Sequence, residues 1–244
     1  MIEITRTGRV LQVALNRPEK RNALNAELCS ALVTAFDEAE ADGDVGAILM
    51  RGNGPAFCAG MDLREAVDTE SGQLAGIHER LFTTIQRARK PIVAAVQGPA
   101  LAGGTGLTAN AHIVVAAPDA RFGLTEIRIG LWPVLIFRAC VLAMGERRAT
   151  ELSLTGRIFP APEGLRYGLV TEVAEDPLAR AMEIAAGVSE YSAFAMRGGL
   201  DYVQRIRGLD WEEAGEAGKR LRDQLMNHED FAKGVRAFLE KRVP

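Results

Sequence analysis

The chain is poor in cysteine: among 244 residues only Cys29, Cys58 and Cys140 occur, an odd set without metal-ligand spacing. That excludes a disulfide scaffold and reads as reduced, buried thiols in a cytoplasmic protein. Neither sign of charge prevails, the formal net charge being -3. Nucleic-acid binding needs clustered Lys and Arg, so no nucleic-acid partner is expected. The opening MIEITRTGRV has no apolar core behind a basic run, so no export signal is expected. No repeat or low-complexity tract is found, and no His, Cys, Asp or Glu cluster has the spacing of a metal site, so no metal is expected. One long stretch lacks charge, from Pro91 to Pro118. Its length suggests a membrane span, but Pro91, Gln97, Pro99, Asn110, His112 and four glycines lie within it. A buried strand–loop–helix–strand segment explains it better, and no membrane partner is expected. What remains is ordinary globular material, 48% hydrophobic and 25% charged, enough for one large domain with or without an appendage.

Hydrophobic periodicity divides the chain. Residues 2–5 and 10–15 read as two strands joined at Thr7-Gly8-Arg9, with Leu11, Val13 and Leu15 pointing inward. A helix starts near Asn25, a good N-cap, and buries Leu28, Leu32, Phe36 and Ala39. Val45 to Met50 reads as a strand, residues 52–63 as a loop, and roughly 74–88 as a helix. Ile92 to Val96 and Ile113 to Ala117 are strands on either side of a helix from about Gly103. Residues 133–155 read as helical, Pro162 to Tyr167 as a short helix closed by Gly168, and Leu169 to Val173 as a strand. Four helices follow, near 177–190, 192–206, 211–226 and 229–241. The pattern predicts an α/β fold with a mainly parallel or mixed sheet, covering 1–190, and a helical C-terminal region, 191–244.

Two loops rich in small residues carry the chemistry: Phe57-Cys58-Ala59-Gly60-Met61-Asp62-Leu63, and Gly98 to Gly106. Each follows a predicted central strand, where α/β sheets place ligand sites. Glycine lets backbone N–H groups approach a ligand, and a helix starting near Gly103 adds its positive end. Neither loop fits a dinucleotide fingerprint or a P-loop, since no GK[ST] follows.

Several ordered segments resemble one family. Asn16-Arg17-Pro18-Glu19-Lys20-Arg21-Asn22-Ala23-Leu24, FCAGMDL at 57–63, KPIVAAVQGPALAGG at 90–104, ARFGLTEIRIGLWP at 120–133 and DFAKGVRAFLEKRVP at 230–244 are similar to segments of the enoyl-CoA hydratase/isomerase (crotonase) family. The resemblance implies a spiral of ββα units with a helical C-terminal region that mediates trimers, often paired into hexamers. It implies an acyl-CoA thioester substrate, with coenzyme A part of that substrate and no permanently bound cofactor. It implies that the backbone N–H groups of Met61 and Gly103 hold the thioester carbonyl. Arg21 and Ala23, with Ala59, Asp62 and Leu63 around the adenine, match coenzyme-contacting positions; Lys20 and Arg21 are flexible cations suited to phosphates.

Family hydratases use two glutamates. One matches Glu126; the other falls at Gly106, which has no side chain. A single glutamate can still shuttle a proton between two carbons, as in double-bond isomerisation, and hydration with a positioned water stays open. Such a base needs a carboxyl pKa above the free value of about 4.3, which an apolar pocket provides. Trp132, Leu135 and Phe137 are candidates to line that pocket, although ordinary core packing is the stronger reading for any one of them. The competing role for Glu126 is an ion pair with Arg121 or Arg128. Other family reactions (hydrolysis, decarboxylation, dehalogenation) and a non-catalytic acyl-CoA-binding protein are the alternatives. His112 reads as a core or loop residue, His78 and His228 as solvated. Cys58 adjoins the first loop, but no neighbouring histidine activates it.

Overall fold

The structure, a computed structural model, describes residues 1–68 and 71–240. Backbone packing divides the chain into two compact units, Met1–Ser189 and Glu190–Pro244. In the first, strands β1 (Ile2–Thr7) and β2 (Val10–Leu15) form a hairpin whose turn needs Gly8, at φ +58°. Helix α1 (Ala26–Ala41) begins where Asn25 accepts the Leu28 N–H at 3.0 Å. Its inward face includes Leu28, Leu32, Phe36 and Ala39, and burying a residue such as Phe36 contributes about 1.5–3 kcal/mol. Next come β3 (Ala47–Gly52), α2 (Leu63–Asp68), α3 (Ser71–Gln86), β4 (Ile92–Val96), β5 (Pro99–Leu101) and α4 (Gly103–Asn110). Then follow β6 (Ile113–Ala116), β7 (Arg121–Gly123), α5 (Phe137–Met144), α6 (Glu146–Thr155), β8 (Phe159–Pro160), α7 (Ala161–Tyr167), β9 (Glu172–Val173) and α8 (Pro177–Ser189).

The main sheet has the order β1-β2-β3-β4-β6-β9, parallel except for β1. Both faces are covered, so its inner strands are apolar throughout rather than alternating. In β4, Ile92, Ala94 and Val96 join the main core, while Val93 and Ala95 join a second cluster with Ala181 and Ala185 of α8. The charge-free stretch is therefore β4, β5, α4 and β6, buried over most of its length. No helix among the described residues is long and apolar enough to cross a membrane. All three thiols are buried, and burial pushes each up to about 12.

Several expectations need correction. The supposed loop 52–63 gives way at Leu63 to α2, and the following helix begins at Ser71 instead of near residue 74. The supposed single helix 133–155 is α5 and α6, broken at Gly145 (φ +79°), while residues 133–136 precede the first helical turn. The strand expected over 169–173 is only Glu172–Val173, because the Leu169 and Val170 N–H groups bond to Gly164 O at the end of α7. Strands β5, β7 and β8, which form a second small sheet, escaped notice because two or three residues cannot show alternation.

In the second unit, α9 (Ala193–Arg205), α10 (Trp211–Met226) and α11 (Glu229–Leu239) follow the expected segments. Ser192 caps α9, and Asp210 with Glu213 forms a reciprocal capping box on α10. His228 is half-buried rather than solvated: it caps α11 and stacks on Phe194 at 4.0 Å. Phe194, Val203, Phe231 and Phe238 remain exposed.

Candidate active site

A cavity of about 400 Å³ opens between the two glycine-containing loops and the segment after Glu126. The first loop is held on both sides by backbone bonds. On one side Leu24 N–H donates to Gly60 O (2.7 Å), Asp62 N–H to Leu24 O (2.9 Å) and Ala59 N–H to Arg21 O (2.9 Å). On the other, Cys58 N–H donates to Pro99 O (3.1 Å) and Leu101 N–H to Cys58 O (2.9 Å). This parallel bridge to Leu24 uses atoms of Gly60 and Asp62, so the N–H of Met61 between them faces away from it.

The second loop leads into α4. Gly103 is its first residue, and first-turn N–H groups have no partner within a helix. Neither the Met61 nor the Gly103 N–H finds an acceptor among the described residues. The loops approach backbone to backbone: a Cβ on Gly104 would lie 2.1 Å from Cys58 O, and one on Gly60 would lie 3.4 Å from Gly103 N. Ala102, just before Gly103, holds φ +49°, a strained value for a residue with a Cβ. The buried Thr105 hydroxyl locks the turn, donating to Ala100 O at 2.7 Å and accepting from Gly123 N–H at 3.0 Å.

Glu126 opens a short 3-10 turn, Glu126–Ile129, closed by Gly130 at φ +77°. Glu126 lines the cavity, and its Oε2 is buried with no hydrogen-bond partner. Burial raises its pKa, against a smaller lowering by its own backbone N–H. It forms no ion pair with Arg121 or Arg128 among the described residues; Arg121 bonds to the Asp119 and Ala120 carbonyls. The structure thus removes the ion-pair role.

Most of the remaining lining is apolar. Trp132 and Leu135 line the cavity rather than serving only as core packing. Phe137 does not; it packs on the main core, its ring 6.0 Å from that of Trp132. Ile136 and Phe82, which line the cavity, lie closest to the place of the missing side chain at Gly106.

The expected coenzyme-contacting residues gather at the first loop. Arg21 is exposed and left-handed (φ +51°), Ala59 and Leu63 line the cavity, and Ala23 O accepts from the Arg17 guanidinium. The Asp62 carboxylate is engaged by Arg17 at 3.0 Å. Burial raises its pKa, but the Arg17 bond and charge, with the Arg64 and Glu65 N–H groups, bring it below the ordinary value.

Two residues were missed. His78 is buried rather than solvated, lines the cavity, and sits with Nε2 3.4 Å from Leu24 O. Burial lowers its pKa, opposed by its contact with the Leu24 carbonyl and by the charge of Glu65. The signal was its spacing from Leu74, Leu81 and Ile85, which puts it on the buried face of α3. Asn22 is fully buried; its Oδ1 accepts from Arg17 N–H, and its amide donates to the Ala56 and Phe57 carbonyls. Among the described residues no group of three or more His, Cys, Asp or Glu is arranged to hold a metal.

Residues 5–244 match the family model described as enoyl-CoA hydratase/isomerase. A mevalonyl-coenzyme A hydratase from Aspergillus fumigatus is 40% identical, the match covering 98% of this chain and 91% of that protein. A 2,3-dehydroadipyl-CoA hydratase from Escherichia coli is 31% identical over 99% of this chain and 96% of that one. The crystal structure of an enoyl-CoA hydratase from Mycobacterium smegmatis superposes with a TM-score of 0.94 at 31% identity, covering 100% of this chain and 97% of that one. The chain therefore belongs to the enoyl-CoA hydratase/isomerase family and has the crotonase fold of this acyl-CoA thioester enzyme class.

Proposed function

We propose that this enzyme moves a double bond within an enoyl-CoA thioester, from the 3- to the 2-position. The observation that carries the reading is that Glu126 is the one carboxylate lining the cavity among the described residues. The thioester carbonyl accepts hydrogen bonds from the N–H groups of Met61 and Gly103. The Glu126 carboxylate removes a proton from C2; the electron pair passes into the conjugated enolate, whose oxygen those donors stabilise. Glu126 then returns the proton to C4, leaving the double bond between C2 and C3. An oxyanion donor is worth about 2.7–4 kcal/mol in comparable sites, and a buried, unpaired carboxylate has raised basicity suited to the shuttle.

Coenzyme A arrives and leaves with the substrate, against Arg21, Ala23, Ala59, Asp62 and Leu63, with Lys20 and Arg21 facing phosphates. Exposed apolar side chains on α9 and α11 support assembly into a homo-oligomer, a trimer or a dimer of trimers. Three buried, free thiols support a cytoplasmic location.

Hydration is the second reading, favoured by the hydratase names of the relatives. Offering 2-enoyl- and 3-enoyl-CoA esters of several lengths separates the two. Conversion of 3-enoyl to 2-enoyl without water addition supports isomerisation. Rapid hydration supports the second reading, and no turnover of either ester sinks both.

A further inference from the structure

We propose that Ile136 determines acyl specificity by filling the room that Gly106 leaves, so that the two residues act as one small–large pair. The proposal rests on the reading of the cavity as the thioester site. A Cβ built on Gly106 would lie 2.3 Å from Ile136 Cγ2, 2.8 Å from Ile136 Cβ and 3.2 Å from the Phe82 ring. These are collisions with the base of a β-branched side chain, which has no flexible end to swing aside. The Ile136 backbone is also fixed, its N–H donating to Pro133 O at 3.1 Å and its carbonyl accepting the Cys140 N–H of α5 at 3.1 Å. Ile136 is 3% exposed and Gly106 is buried in α4.

Ile136 and Phe82 line the cavity, so the wall that meets an acyl group on the α4 side is hydrocarbon. Two consequences follow from that placement. No side chain can be added at residue 106 while Ile136 keeps its Cγ2, which excludes a second proton-transfer group there. The same methyl sets how far an acyl chain extends toward α4. Trimming Ile136 gives a longer chain apolar surface to bury, worth about fourfold in affinity for each added CH₂.

The test uses the full chain and two readouts. Thermal unfolding is measured for Gly106→Ala alone, with Ile136→Ala, and with Ile136→Val, which keeps Cγ2. Gly106→Ala is expected to lower Tm by about 2–12 °C in the wild-type and Ile136→Val backgrounds, and by less in Ile136→Ala, where the 2.3 Å collision with Cγ2 is gone and only the contacts with Cβ and Phe82 remain. Calorimetric binding of saturated C4 to C12 acyl-CoA esters, which needs no turnover, is expected to favour longer chains in Ile136→Ala. An equal Tm loss in all three backgrounds overturns the pairing, and an unchanged chain-length ranking overturns the specificity role. Absence of acyl-CoA binding by the wild type overturns the thioester reading itself, a result distinct from either.

Discussion

Two walls of the cavity differ in how they are built: the loops 58–62 and 99–104 meet backbone to backbone, while the segment 126–136 brings Glu126, Trp132, Leu135 and Ile136 to the lining. The first wall is held by directional bonds such as Leu101 N–H to Cys58 O and leaves no room for a methyl at Gly104. The second is folded by its own short turns, such as Leu131 N–H to Glu126 O and Ile136 N–H to Pro133 O, and adds packing such as the tilted contact of Trp132 with Phe137. On the proposed reading the difference divides the work: the backbone wall would fix where a carbonyl oxygen sits, and the side-chain wall would supply the base and shape the acyl group. A backbone donor is hard to lose by substitution of its own residue, whereas a side-chain base disappears with one change.

Glu126→Gln breaks the contrast most sharply. Turnover is expected to fall at least about a hundredfold, the scale of a lost acid–base group, with acyl-CoA binding retained; unchanged turnover removes Glu126 from its role. Because burial raises the Glu126 pKa above 4.5, the acid limb of wild-type turnover lies above that value. The sign for stability is opposite. A raised folded pKa means that stability present below 4.5 is lost as pH rises through the folded value. The glutamine variant lacks that loss and is expected to unfold at higher urea than wild type at neutral pH.

Gly104→Ala attacks the backbone wall. Its new Cβ meets a carbonyl at 2.1 Å, so a loss of about 1–3 kcal/mol in urea unfolding is expected, with turnover reduced as the loops part. A variant as stable and active as wild type would show that the close approach is dispensable. Asp62→Asn is the mildest change, loosening the Arg17 lock beneath the Met61 loop at a cost on the order of 1 kcal/mol at neutral pH. A lowered folded pKa gives stability that is present above 3.8 and lost as pH falls through the folded value. The variant is therefore expected to show a shallower acid limb in thermal unfolding; an identical limb would mean that the Arg17 pair contributes nothing.

The same contrast explains what the sequence revealed. The backbone wall was legible because close approach demands glycine, and Gly60, Gly103 and Gly104 stand out beside apolar strands. Helix α1 was legible from Asn25 and its apolar spacing, and β4 from an unbroken apolar run. The side-chain wall was not, because Trp132, Leu135 and Phe137 look alike in sequence, and only the fold sends the first two to the cavity and the third to the core. His78 was hidden by charged neighbours despite its spacing. The absent side chain at Gly106 was visible, but its filling by Ile136 depends on how α4 meets the turn before α5, a contact that no local pattern records.

The burial of Cys29, Cys58 and Cys140 has a practical side. With thiols pushed up to about 12 and no solvent access, almost no thiolate exists at neutral pH to attack an electrophile. Toward maleimides and iodoacetamides the folded enzyme should therefore behave as though it had no cysteine. A single cysteine introduced at Val67, 85% exposed on α2, would take up a fluorophore alone. That label would sit a few residues from the Met61 loop and report acyl-CoA arrival without altering either wall.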